Sequence, residues 1–171
     1  MTAATELLTD GFSRVEQVLT GTLDGLGAVE LEARIDPEAN SIAWLVWHLT
    51  RVQDDHVADV AGTEQVWTSG GWADRFALPF ASDDTGFGHN SDQVGQVRGI
   101  SAQDLLGYHR ATLAATEQYL TTVTEADLDR VVDDSWDPPV TLAVRLMSVL
   151  GEDHQHTGQV AYVAGVLARQ G

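Results

Sequence analysis

Four separated stretches of the chain repeat their apolar residues at helical spacing, and this pattern limits the fold more than any single motif does. Leu7, Leu8, Phe12, Val15, Leu19 and Leu23 predict a first helix from about residue 5 to residue 26, closed by Gly25 and Gly27. The acidic residues 28–39, with Asp36-Pro37, read as a connector. Asn40 or Ser41 then caps a second helix that runs to about Ala61 and stops at Gly62. Ser101 is the expected cap of a third helix reaching about Val123, with Leu105, Leu106, Leu113, Leu120 and Val123 inward. Residues 124–130 add a short helical turn, Pro138-Pro139 interrupt the chain, and Thr141 begins a fourth helix ending near Arg169. The order implies an all-α fold: an up-and-down four-helix bundle in one domain, residues 1–171, with a long insertion between the second and third helices.

That insertion, residues 63–100, keeps no period and is rich in glycine and aromatic residues, among them Trp67, Trp72, Phe76, Phe80 and Phe87. An irregular stretch of this length is usually a functional lid or a disordered insertion. The aromatic content argues against disorder. The expectation is a segment folded over one end of the helices, with Trp67 and Trp72 as candidate cofactor-binding residues. Tryptophans that simply plug the core explain the same pattern.

Composition narrows the function classes. Nine basic residues against 26 acidic ones give a formal charge of −17, which opposes contact with a phosphate backbone and makes nucleic acid an unexpected partner. The chain has no cysteine, so it offers neither disulfides nor thiolate ligands, and any thiol nucleophile must come from outside. The N-terminus lacks the basic and then apolar run of a signal peptide, and no apolar stretch approaches a membrane span. A cytoplasmic protein with no membrane partner is expected.

The chemistry centres on the fourth helix. Glu152 and His156 are four apart, so they lie about 40° apart on one helical face, a turn from each other. Two ligands rarely hold a metal alone, and the best third donor is His48 on the second helix. Two imidazoles and one carboxylate with an open position suit catalytic zinc or a related ion. Trp44 and Val52 lie near the azimuth of His48 and would wall the cleft above it. Arg145 shares the stripe of Glu152, about two turns earlier, and is placed to hold a substrate carboxylate. Asp55 is a candidate general base. Each residue also has a plain explanation: a half-buried histidine bonded to its neighbour, a local ion pair at Arg145, an accidental Glu-His spacing. His109 reads as structural or solvent-facing.

The segments Trp44-Leu-Val-Trp-His-Leu-Thr-Arg-Val-Gln-Asp-Asp-His56 and Gln155-His-Thr-Gly-Gln-Val-Ala-Tyr162 resemble the two motif helices of the DinB/YfiT-like superfamily. The similarity is greatest to its actinobacterial branch of mycothiol-dependent enzymes and covers nearly the whole chain, including Trp136-Asp-Pro-Pro139. Many members bind a metal through three histidines, and the match puts His48 and His156 on two of those positions. Glu152 stands where the third is usually histidine, a departure that the related mycothiol-dependent maleylpyruvate isomerases share with their His, Glu, His zinc site. Position 155, often histidine, is glutamine here, and His154 points about 200° away from the ligand pair. The resemblance implies a divalent metal, zinc foremost with nickel or iron as alternatives, and mycothiol as thiol cosubstrate. It further implies a small-molecule electrophile, and thiol transfer or thiol-dependent isomerisation as the reaction. Homodimers are common among such relatives. A metal-dependent hydrolase and a non-catalytic stress-response or binding protein are the competing readings.

Overall fold

Capping side chains set where the long helices begin. In a computed structural model that describes residues 2–170, Thr2 accepts a hydrogen bond from the Thr5 amide and opens α1 (Ala3–Leu23). The connector that follows coils into a short helix, α2 (Ala28–Glu32). Ser41 accepts from the Trp44 amide and starts α3 (Ile42–Ala61), which Gly62 ends in the left-handed region at φ 68°. The long insertion holds three helices of four or five residues, α4 (Val66–Ser69), α5 (Trp72–Phe76) and α6 (Ser91–Val94). Ser101 caps α7 (Ala102–Leu120), and Thr124 caps α8 (Glu125–Leu128). A small antiparallel pair, β1 (Val131–Asp133) and β2 (Val140–Thr141), closes the last connection before Thr141 caps α9 (Leu142–Leu167). The strand pair is an addition to the all-helical expectation and too small to alter the class.

The four long helices form a bundle. Both α1 and α3 pack against α7 and α9, so α1 faces α3 across the centre and α7 faces α9. Helices consecutive along the chain therefore sit diagonally within each half, and α3 shares its most extensive packing with α9. Phe12, Leu19, Leu45, Leu49, Leu105 and Leu146 meet in the core. Each such side chain stabilises the fold by roughly 1.5–3 kcal/mol relative to exposure. No helix among the described residues is long and apolar enough to cross a membrane.

From Ile42 to Arg51 every residue of α3 is buried. Helix neighbours cover one side, and the insertion covers the other. Arg51 ties the insertion down: Nε donates to the Asp84 carbonyl (3.1 Å), Nη2 to the Ser82 carbonyl (3.3 Å) and Nη1 to Gln65 Oε1 (2.7 Å), while the guanidinium lies over the Trp67 ring. One turn on, the Asp54 carboxylate accepts from the amides of Val66 and Trp67 and from the Tyr108 hydroxyl. A buried charge is tolerated when its hydrogen-bonding capacity is met this fully.

Candidate metal centre

The close packing of α3 on α9 brings residues 48, 152 and 156 together. Glu152 Oε1 lies 3.6 Å from His48 Nε2 and 3.0 Å from His156 Nε2. One donor atom from each of the three residues falls within 4.8 Å of the others. The two imidazoles stand nearly perpendicular, with ring centroids 4.9 Å apart. His48 is buried at 4% exposure, Glu152 and His156 are half-buried, and His48 and Glu152 line a cleft of about 390 Å³.

Hydrogen bonds decide which ring nitrogens face this meeting point. His48 Nδ1 is 2.5 Å from the Thr85 carbonyl, which can only accept, so the hydrogen sits on Nδ1 and the Nε2 lone pair turns toward Glu152. His156 Nδ1 lies 2.8 Å from the Gln159 side-chain oxygen and donates to it when Nε2 turns its lone pair toward the same point. Burial pushes the His48 pKa below its ordinary value, partly opposed by the Thr85 bond, so this imidazole stays neutral at neutral pH. Two imidazole nitrogens and a carboxylate oxygen thus converge, and only a proton or a cation can lie favourably among them. Tetrahedral zinc with bonds of about 2.0–2.1 Å would set its ligand atoms about 3.4 Å apart, close to the two Glu152 distances. The donor set fits a divalent metal, with each histidine held through its other nitrogen as metal-bound imidazoles usually are.

The cleft beside the three residues is lined by Val52, Asp55, His56, Phe87, Arg145 and Val149, among others. Arg145 Nη1 donates to His56 Nδ1 (3.1 Å) and Nη2 to Asp133 (3.1 Å), while its Nε is buried without a partner. Asp55 accepts from Gln65 Nε2 through Oδ1 (2.7 Å), while Oδ2 accepts no hydrogen bond and lies 3.9 Å from His56 Nδ1. Trp44 does not wall the cleft; it stacks behind His48 with centroids 4.5 Å apart and planes 18° apart. Phe87, by contrast, reaches the cleft from the insertion and is 91% exposed.

Trp67 and Trp72 correct the expectation that they line the cofactor pocket. Neither faces the cleft. Both rings pack against Tyr108 of α7, at 5.2 and 5.8 Å, and Gly107 leaves a notch where any side chain would strike Trp72 at 2.7 Å. Large aromatic area and a matching notch drive them into the core. His109 is fully buried and hydrogen-bonded to Thr50, so it is structural. His154 is exposed and bonds the Leu150 carbonyl of its own helix. Thr85 and His56 escaped the sequence reading as site residues, although His56 closes the motif segment that begins at Trp44, and Phe87 figured there only among the aromatics of the insertion.

A family model described as mycothiol-S-transferase matches residues 7–167, nearly the full length. The chain belongs to that family. The mycothiol-S-transferase family is DinB/YfiT-like, in line with the motif helices and the bundle. Among solved structures, the chain resembles a crystal structure of a conserved protein of locus from Enterococcus faecalis, with a TM-score of 0.89 and 29% identity over 96% of each chain. That description names no activity, so it speaks for the fold. No curated protein matches.

Proposed function

We propose that the protein joins a low-molecular-weight thiol, mycothiol, to a small electrophile, with His48, Glu152 and His156 holding a divalent cation, zinc by ligand type. The observation that carries this reading is the convergence of three acceptor atoms beside a cleft that His48 and Glu152 line, in a family named for thiol transfer and in a chain with no thiol of its own. A metal bound there supplies a Lewis acid that keeps an entering thiol in its anionic, nucleophilic form. The thiol sulfur forms the new bond to carbon as the leaving group departs, and the thiol hydrogen goes to solvent.

The chain's own residues prepare this exchange. Thr85 and Gln159 hold the two imidazoles so that each Nε2 stays available. Val52, Val149 and Phe87 give the cleft apolar walls beside the reacting sulfur. Arg145, seven residues before Glu152, stands about 10 Å along α9 and grips a carboxylate at the far end of the electrophile.

The test is to supply metal-loaded protein with mycothiol and chlorodinitrobenzene and to follow the S-conjugate. The reading requires that His48→Ala and Glu152→Gln abolish the protein-dependent rate; unchanged conjugation in both refutes it. A second reading, metal-dependent hydrolysis, draws on Asp55 in the same cleft, whose Oδ2 accepts no hydrogen bond and would act as general base. Turnover of an ester without added thiol, lost in Asp55→Asn, would favour that reading instead.

A further inference from the structure

We propose that His89 and Asp84 are positioning residues of the metal centre, holding the His48 imidazole from behind through Trp44 and the Thr85 carbonyl. The inference rests on the reading of His48 as a ligand. It assigns a task to the part of the insertion, residues 82–89, that lies over α3.

The His48 ring is gripped at an edge and on a face. At the edge, Nδ1–H donates to the Thr85 carbonyl at 2.5 Å. That carbonyl is fixed by its neighbours. The Asp84 carboxylate accepts from the Gly86 amide (2.7 Å), turning the chain across Thr85, and the Asp84 carbonyl is tied to Arg51, three residues beyond His48 on α3. Gly86 has φ +88°, and a Cβ there would stand 2.8 Å from the Trp47 ring and 3.0 Å from His48 Nδ1. Only glycine lets the backbone come this close.

On its face, His48 stacks against the Trp44 indole. Trp44 is held in turn, since its Nε1–H donates to His89 Nδ1 at 3.2 Å. With Nδ1 accepting, His89 carries its hydrogen on Nε2, which lies 3.1 Å from both oxygens of the Asp84 carboxylate. The His89 side chain is 3% exposed and packs against Phe80 and Trp47. The links close into a ring: Asp84 sets the turn that presents the Thr85 carbonyl, and the same carboxylate orients the His89 that pins Trp44. A loop that merely covered the helix would need no such polar chain in a buried place.

The experiment compares the full chain with His89→Phe, which loses both hydrogen bonds, and His89→Asn, whose side-chain oxygen can still accept from Trp44. Zinc affinity is measured by chelator competition, Co²⁺ geometry by visible absorption, and the His48 tautomer by ¹⁵N NMR of the metal-free protein. Support would be affinity about 10–100-fold weaker in His89→Phe, a smaller but measurable loss of about 3–10-fold in His89→Asn, which lacks the bond to Asp84, an altered Co²⁺ spectrum, and loss of the single Nδ1–H tautomer at His48. Wild-type affinity, spectrum and tautomer in both variants overturn the proposal. If His89→Phe does not fold, the same measurements on His89→Asn decide. If the wild-type protein binds no metal, the functional reading fails, and the metal-free tautomer measurement still decides whether His89 orients His48.

Discussion

Glu152 Oε1 is the shared contact of two histidines that have each committed Nδ1 elsewhere, so its charge is what makes three facing acceptors tolerable around a cation. Replacing Glu152 with glutamine keeps the shape and removes that charge, and the expected result is metal affinity weaker by more than about 100-fold, read by calorimetric titration. Glu152→His restores an imidazole at the position and should retain stoichiometric metal. A Glu152→His protein that binds none would show that the carboxylate, not the count of ligands, defines the site. Arg145 makes a separate prediction. Its guanidinium is held between His56 and Asp133, which fixes it at the cleft wall. Arg145→Met should raise KM by roughly 10–100-fold for an electrophile bearing a carboxylate, the weight of a lost charged hydrogen bond. A neutral electrophile should be nearly unaffected, and equal effects on both would remove the anion-gripping role.

At the scale of elements, the insertion depends on Arg51 more than on its own helices. Arg51→Met leaves the Ser82 and Asp84 carbonyls without their donor and Asp54 without its nearest cation, so destabilisation of about 3–5 kcal/mol is expected. Hydrogen exchange should locate the damage: the Gly86 and His89 amides lose protection before those of α9 do. The long helices were legible in the sequence because each runs far enough for the apolar period to repeat, and Ser41, Ser101 and Thr141 mark their starts. The short helices α2, α4, α5 and α6 are four or five residues long, barely more than one turn, so no period can announce them. Trp67 and Trp72 were misplaced because the notch at Gly107 that receives Trp72 belongs to a different helix. Spacing linked Glu152 to His156, the second strongly helical segment offered His48 as the third donor, and family resemblance then matched His48 and His156 to ligand positions. The bond from His48 to Thr85 left no trace, since any residue supplies a backbone carbonyl.

For the whole molecule, the interior predicts how stability responds to acid. His109 sits fully buried among the packed helices, bonded to Thr50, with Nε2 unpartnered and with Glu16 and Arg110 as the nearest charges. Burial pushes its pKa down to about 4 from 6.5, so the folded protein keeps this ring neutral where the unfolded chain takes up a proton. A lowered folded-state value means that the stabilising contribution is full above about pH 6.5 and is lost as pH falls toward 4. The shift corresponds to about 3 kcal/mol across that window, of which about 2 kcal/mol is already gone at pH 5. Burial lowers His48 and His56 as well, and both act in the same direction. Burial raises the Asp153 and Asp54 carboxyls, which works the other way, so the loss in acid owed to His109 is read as a difference between proteins in urea unfolding of the metal-free state at pH 7 and pH 5. The loss should be smaller by about 2 kcal/mol in His109→Gln, which can still bond Thr50 but does not titrate. Identical losses in the two proteins would mean that His109 is already free to protonate in the folded state, and the acid response would then have to arise elsewhere in the bundle.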